Sequence, residues 1–333
     1  MRNYLESVVR QFAGKRLLVV GDMVADQYIV GRPTRISREA PVLILAHSHQ
    51  FTVPGGAMNP GANARSLGAE VYLAGVIGDD VAGRDLRSVL LEQGIYVDGL
   101  ISEPGRPTST KTRILAGGTQ LVQQQIVRVD RIDDSELDPE SVRRITRYVH
   151  ETIRSVDALI VSDYENGVIN QAIIEACLPV ARELGKSITV DSHGDLIRFQ
   201  NVTALTPNQP EAEATLGMRI TDQASLELAG QRLLAETSAQ GVLITRGSEG
   251  MSLFEHGREP LHLAPSNLTE VYDPTGAGDT VAATFTLALV AGASMSQAAV
   301  LANMAAGLVV RRLGCATNTP EELISAIHTL TEE

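Results

Sequence analysis

The sequence predicts an α/β protein with a mainly parallel central sheet, helices on both of its faces and a small β-sheet lid. Three observations predict this. Short β-branched runs alternate with helical patterns along most of the 333-residue chain, the mark of right-handed βαβ units. Runs such as "RLLVVGD" (16–22) are apolar without alternation, as in a strand buried on both faces. Two segments, 27–53 and 107–129, break the rhythm with strand-like stretches and few helical patterns.

In chain order, strands are expected at 16–22, 69–79, 157–164, 187–194, 202–208 and within 241–250. Helices are expected between them, as in "DVAGRDLRSVLLEQG" and "NQAIIEACLPVARELG". Over the second segment, 107–129, the stretch "TSTKTRILAGGTQLVQQQIVRVD" (108–130) suggests a hairpin around Gly117–Gly118. It is similar in character to 27–53, and the two together predict one lid sheet. Residues 280–310 carry no charge, but Gly292, Ser294 and Ser296 interrupt them, and Gln297 and Asn303 lie among them. Two buried helices fit this better than a membrane span. No linker or repeat divides the chain, so 1–333 is expected to be a single domain.

Composition narrows the function. With 4% aromatic residues and no Trp, stacking platforms for single-stranded nucleic acid are disfavoured. A net charge of −12 disfavours polyanionic partners, yet leaves room for a small phosphorylated ligand in a local basic pocket. Cys177 and Cys315 lie far apart without CxxC spacing, which points to a reducing compartment. The N-terminus lacks an apolar signal-peptide core, so a cytoplasmic protein is expected.

Each predicted strand ends in a polar turn: Asp22, Asp79, Asp163, Asp191, Asn208, and Thr245 to Gly247. Open α/β sheets bind ligands outside the carboxyl ends of their strands. Carboxylates there can accept hydrogen bonds from sugar hydroxyls or help hold Mg²⁺. Any one of them could equally cap a helix.

"EVYDPTGAGDTVAA" (270–283) is a Gly-rich loop leading into a helix. It is not a Walker A loop. The chain's one Gly-Lys-Ser, at 185–187, has Val180 where the first glycine is required and precedes a strand. Nor is it a dinucleotide fingerprint, because Val281 occupies the third glycine position. Gly276 and Gly278 let backbone N–H groups approach an anion, and the helix points its positive end at the same place. Asp279 beside that anion hole reads either as the acceptor of a proton from an attacking hydroxyl or as a helix cap.

"DPTGAGDT" (273–280) resembles the C-terminal signature of the ribokinase-like, or pfkB-type, carbohydrate kinases. "PGGAMNPGANARSLGA" (54–69) is similar to that family's Gly-Gly signature, here Gly55 and Gly56, with a sugar-contacting Asn59. "TPNQPEAE" (206–213) resembles its Asn-x-x-Glu element, "ITRGSEGMSL" (244–253) its nucleotide-side strand and turn, and "LANMAAG" (301–307) its late helix beside adenine. The resemblance implies a ribokinase-like three-layer sandwich and an ATP-dependent kinase. Asp279 would be the base, with the N–H groups of Ala277, Gly278 and Asp279 as the anion hole. Asp22 and Asn59 would bind sugar hydroxyls, with Asp163 and Lys111 as further contacts. Asn208, Glu211, Thr245, Gly247, Gly250 and Asn303 would lie along ATP. Mg²⁺ would be held through water by Asn208 and Glu211, and Asp273 would shape a K⁺ site. A homodimer through the lid is also implied.

"RISREAPVLIL" (35–45), "STKTRIL" (109–115) and "ALIVSDYENGV" (158–168) are similar to the heptose-phosphate kinases of lipopolysaccharide precursor synthesis. These phosphorylate the anomeric hydroxyl of D-glycero-D-manno-heptose 7-phosphate, often fused to a nucleotidyltransferase with an HxGH motif. No HxGH occurs here, so the stand-alone form is implied. Pro60, just after Asn59, departs from the fused enzymes but suits a first helical turn. A sugar that already bears a phosphate needs cations at its far end. Arg35, Arg38, Lys111 and Arg113 fall in or beside the lid strands, where they could also merely protect a sheet edge. The rival readings are a kinase of ribose, fructose or a nucleoside, and a non-catalytic sensor.

Overall fold

The computed structural model describes residues 2–118, 121–266, 271 and 273–329. The strands are β1 (Arg16–Gly21), β2 (Met23–Ile36), β3 (Leu43–Gly56), β4 (Glu70–Gly78), β5 (Tyr96–Glu103), β6 (Ser109–Gly118), β7 (Leu121–Arg131), β8 (Ala158–Asp163), β9 (Ser187–Ser192), β10 (Ala204–Leu205), β11 (Gly241–Thr245), β12 (Met251–Glu255) and β13 (Leu261–Leu263). The helices are α1 (Arg2–Arg10), α2 (Met58–Ser66), α3 (Val81–Glu92), α4 (Pro139–Thr152), α5 (Gln171–Glu183), α6 (Gln209–Leu216), α7 (Gln223–Thr237), α8 (Ala277–Val290), α9 (Met295–Val309) and α10 (Pro320–Thr329).

Nine strands form the main sheet in the order β13-β12-β11-β10-β9-β8-β1-β4-β5. The ladders from β5 to β11 are parallel, whereas β12 and β13 turn back antiparallel at one edge. β1 shows why the sheet is covered twice. Its Leu17 and Val19 pack into one core with α1, α2, α3, α8, α9 and α10. Leu18 and Val20 point the other way, into a core with α4, α5, α6 and α7. An apolar run with period-2 side chains must be buried on both sides.

The uncharged 280–310 stretch becomes α8 and α9, separated at Gly292 and restarted by a capping box of Ser294 with Gln297. No helix among the described residues is long and apolar enough to cross a membrane. Pro60 sits in the first turn of α2, where a missing N–H costs nothing.

The lid is a four-stranded sheet, β3-β2-β6-β7, assembled from the two predicted segments, the first longer than expected at 23–56 and the second shifted by two residues to 109–131. The predicted hairpin joins β6 to β7, and its turn residues 119–120 lie outside the described residues. Register sorts the lid's two faces. Asp26 pairs with Lys111, and Tyr28 with Arg113, on one face. Ile29, Ile114 and Val127 line up on the other, with Val129 two residues along the same strand.

Candidate active site

The chain leaves the main sheet at Asp22, between β1 and β2, and enters the lid. Two cavities open at the strand ends beside α8, and the lid borders the smaller one. The smaller, about 280 Å³, is lined by lid residues such as Asp26 and Lys111, by Asn59, and by Asp191 of β9 and His193 just after it. The larger, about 950 Å³, lies over β11 and runs along α9. They share Asn208, Thr245 and Gly278 in their linings.

Asp279 lies in the first turn of α8 and faces the smaller cavity. It is 6% exposed. Asn59 Nδ2 donates to its Oδ2 at 2.6 Å, and the Tyr164 hydroxyl donates to its Oδ1 at 2.9 Å. Burial pushes its pKa up to about 6, against the opposing pull of those two hydrogen bonds. It is no helix cap, since the N-cap position is Gly276 and no side chain caps this helix.

Gly276 adopts φ +79°, and a Cβ there would lie 2.6 Å from Asn59 Nδ2. Glycine is therefore required both for the backbone and for the close approach of α2 to α8. The anion hole is smaller than expected. The Ala277 N–H already donates to the Pro274 carbonyl at 3.2 Å. Among the described residues, the N–H groups of Gly278 and Asp279 have no protein acceptor, so they remain for an anion at the positive helix end.

Asn208 and Glu211 form the capping box of α6. Glu211 Oε1 accepts from Asn208 Nδ2 at 2.6 Å and from His193 Nδ1 at 2.5 Å, while Oε2 accepts the Asn208 N–H at 2.7 Å. The hydrogen bond to Glu211 raises His193 to about 9, against desolvation. Three of the carboxylate's roughly four acceptor positions are thus filled, which leaves one on Oε2 for a water of a hydrated cation. Among the described residues, no cluster of three or more His, Cys, Asp or Glu could hold a metal directly. Burial, with the nearby charges of Asp279 and Glu211, raises Asp191 to about 8.

The structure moves several expected sugar ligands out of the cavity lining. Asp22 is 1% exposed, and its carboxylate accepts the backbone N–H groups of Tyr164, Asn166 and Val168. Asp163 accepts from Ser192, the Glu165 N–H and Arg198. Arg35 and Arg38 are exposed in and just beyond the outer end of β2. Asp79 is exposed beside Arg84, so it does not join the polar edge. Arg113 lines the cavity, but Asp26 neutralises it at 2.6 Å. Gly55 is needed there, because a Cβ would lie 2.4 Å from Asp26 Oδ2. Gly56 and Lys111 do line the smaller cavity, and the Lys111 ammonium stands 5.3 Å over the Tyr164 ring.

Thr245, Gly247, Gly250 and Asn303 line the larger cavity. The Asn303 side chain donates to the Ala264 carbonyl at 2.7 Å. Asp273 binds the backbone N–H groups of Thr275 and Gly314, tying the loop before α8 to the one after α9. Those hydrogen bonds hold its pKa below the usual aspartate value despite burial. The sequence reading gave Tyr164 and His193 no role. Tyr164 lay inside the quoted "DYENGV", and His193 follows the noted Asp191 by two residues.

Comparison with known proteins decides the family. The pfkB family carbohydrate kinase model matches residues 15–322. The chain belongs to the pfkB family of carbohydrate kinases. It is an ATP-dependent sugar kinase with a ribokinase-like fold. Among relatives of this pfkB chain are two called "Bifunctional protein HldE". The one from Citrifermentans bemidjiense is 41% identical over 98% of this chain, and that from Desulfatibacillum aliphaticivorans is 40% identical over 95%. The chain spans 66% and 63% of their lengths, respectively. Among solved structures, Arabidopsis thaliana ribokinase complexed with ribose and ATP superposes with TM-score 0.73, at 20% identity over 96% of this chain and 100% of that one. Escherichia coli phosphofructokinase-2 in complex with potassium gives TM-score 0.75, at 17% identity over 95% and 98%.

Proposed function

We propose that this kinase transfers the γ-phosphoryl group of ATP to the anomeric hydroxyl of D-glycero-D-manno-heptose 7-phosphate. The product is the 1,7-bisphosphate, a precursor of ADP-heptose for lipopolysaccharide core. The observation that carries the reading is the meeting of the two cavities at the N-terminus of α8, with Asp279 on the smaller side. ATP occupies the larger cavity with its phosphates toward Asn208 and Gly278. The sugar occupies the smaller one with its reacting hydroxyl at Asp279. Asp279 takes the hydroxyl proton as the sugar oxygen forms its bond to phosphorus and the bond to the ADP oxygen breaks. The Gly278 and Asp279 N–H groups hold charge on the transferring phosphoryl oxygens.

Glu211 and Asn208 would hold Mg²⁺ through water, and the ion would supply neutralisation of the phosphate charge. A K⁺ site beside Asp273 draws on the potassium complex of the phosphofructokinase-2 relative. The heptose phosphate reading rests on the quoted subgroup motifs and on Lys111, a cavity cation carried by the lid. The lid's outer face, with Ile126, Val127 and Val129 each 45–55% exposed, supports a homodimer through that sheet. Residues 1–333 are read as one kinase domain in the cytoplasm.

The test is an ADP-release assay over a panel of sugars and sugar phosphates. Turnover on the heptose 7-phosphate at least tenfold above ribose, fructose and nucleosides is expected. Activity confined to an unphosphorylated sugar would refute the substrate assignment.

A further inference from the structure

The loop after β8 has a feature that the phosphoryl-transfer scheme does not use. Both oxygens of Asp279 receive a hydrogen bond from a protein side chain, one from Asn59 in α2 and one from Tyr164 in this loop. Asn59 is in turn held in α2, since Asn63 Nδ2 donates to its carbonyl and side-chain oxygens and the Thr280 hydroxyl donates to Asn63. The loop is unusually shaped. Glu165 adopts φ +59° and Gly167 +88°, the left-handed region that a non-glycine residue such as Glu165 visits only when its surroundings fix it. What fixes it is Asp22. Its buried carboxylate accepts the N–H groups of Tyr164 at 2.7 Å, Val168 at 3.0 Å and Asn166 at 3.2 Å. The Tyr164 ring is then gripped edge-on by His193, at 4.5 Å between ring centres, and by the Lys111 ammonium over its face.

We infer that Tyr164 is a positioning residue for Asp279, presented by a loop that Asp22 anchors, and that its hydroxyl keeps the base ionised and aimed at the acceptor hydroxyl. The inference rests on the reading of Asp279 as the base. With one oxygen held by Tyr164 and the other by Asn59, the carboxylate cannot rotate, and each oxygen keeps a lone pair for the substrate. A hydrogen bond to the charged form also stabilises that form. Burial alone would keep the carboxyl protonated to higher pH, and the Tyr164 and Asn59 bonds oppose it. The other charged and titratable groups lining the cavity with Asp279 are Asp26, Lys111 and Arg113 from the lid, Asp191 at the end of β9 with His193 just after it, Glu211 from α6, and Cys315 from the loop after α9. Among the described residues, none of these donates a hydrogen bond to Asp279. The geometry also gives Asp22 a role, although it does not line the cavity: it shapes the loop that holds the base.

The test is the pH profile of kcat for Tyr164→Phe, beside that of Asp279→Asn. Removing the hydroxyl should move the acid limb upward by about one pH unit. At the lower end of the pH range kcat should fall roughly tenfold, recovering at alkaline pH, with the KM for ATP unchanged. A uniform loss of kcat with an unmoved limb would overturn the inference while leaving the base assignment intact. If Asp279→Asn keeps the parent's turnover, the base reading fails and takes this inference with it. If Tyr164→Phe does not fold, a ring-monofluorinated tyrosine placed at 164 keeps the packing and strengthens the donor. It should move the limb downward, and an unmoved limb would overturn the inference.

Discussion

Replacing Gly276 with alanine perturbs the site at its tightest point. The backbone there holds φ +79°, which costs an alanine about 1–2 kcal/mol. A denaturation midpoint should therefore fall by a few degrees, at roughly 2–4 °C per kcal/mol for a large domain. The added methyl would also lie 2.6 Å from Asn59 Nδ2, so Asn59 must withdraw from Asp279, which it touches at 2.6 Å. Losing one hydrogen bond to a charged group is worth about 1.5–3 kcal/mol, or roughly one to two pKa units. Asp279, now at about 6, would then titrate above neutrality. Steady-state kcat measured across the pH range should fall about tenfold near neutral pH and recover on the alkaline side. Calorimetry on the same variant measures the backbone cost separately. A kcat profile superimposable on the parent's would refute the reasoning that Gly276 is there to let Asn59 reach the base.

Further outcomes follow from the same geometry. In the parent enzyme, kcat should drop tenfold per pH unit below about 6, because a base raised above its ordinary value is lost as pH falls through it; a profile flat to about pH 5 would contradict this. Lys111→Met should raise the KM for a sugar phosphate about 10- to 100-fold and leave that for an unphosphorylated sugar unchanged. Asp191, raised to about 8 by burial, binds a proton more tightly folded than unfolded, so its contribution to stability is present at low pH and lost as pH rises through about 8. Asp191→Asn should therefore raise the midpoint at alkaline pH and leave it unchanged near pH 4, as thermal melts at both would show. Val129→Asp should convert a 71 kDa species, twice the 35.6 kDa chain, into monomer by light scattering.

Legibility in the sequence followed how local each feature is. The strands β1, β4, β8 and β9 and the helices α3 and α5 each carry their whole pattern within a few turns of chain, and the sequence reading places them within a residue or two. The Gly-rich turn into α8 was legible for the same reason, since Gly276, Gly278 and Asp279 are neighbours in the chain. What escaped were choices made by partners far apart in sequence. Asp22 and Asp163 have the residue type and strand-end position of sugar ligands, yet Asp22 spends its carboxylate on backbone groups 142–146 residues away. Tyr164 reaches Asp279 across 115 residues, and no local pattern distinguishes it from an ordinary tyrosine after a strand. The same holds for Arg113, whose charge reads as free until the lid brings Asp26 beside it from 87 residues away. The Ala277 N–H was assigned to the anion hole because helix starts leave such groups open, but the turn from Pro274 closes it.

The central claim is that Asp279 takes the proton of the acceptor hydroxyl at the junction of the two cavities. Rapid-quench single-turnover kinetics with Asp279→Asn, alongside calorimetric ATP binding, tests it most directly. The account predicts a phosphoryl-transfer rate lower by roughly 10²–10⁴-fold with ATP affinity nearly kept. A rate within a few-fold of the parent would contradict it.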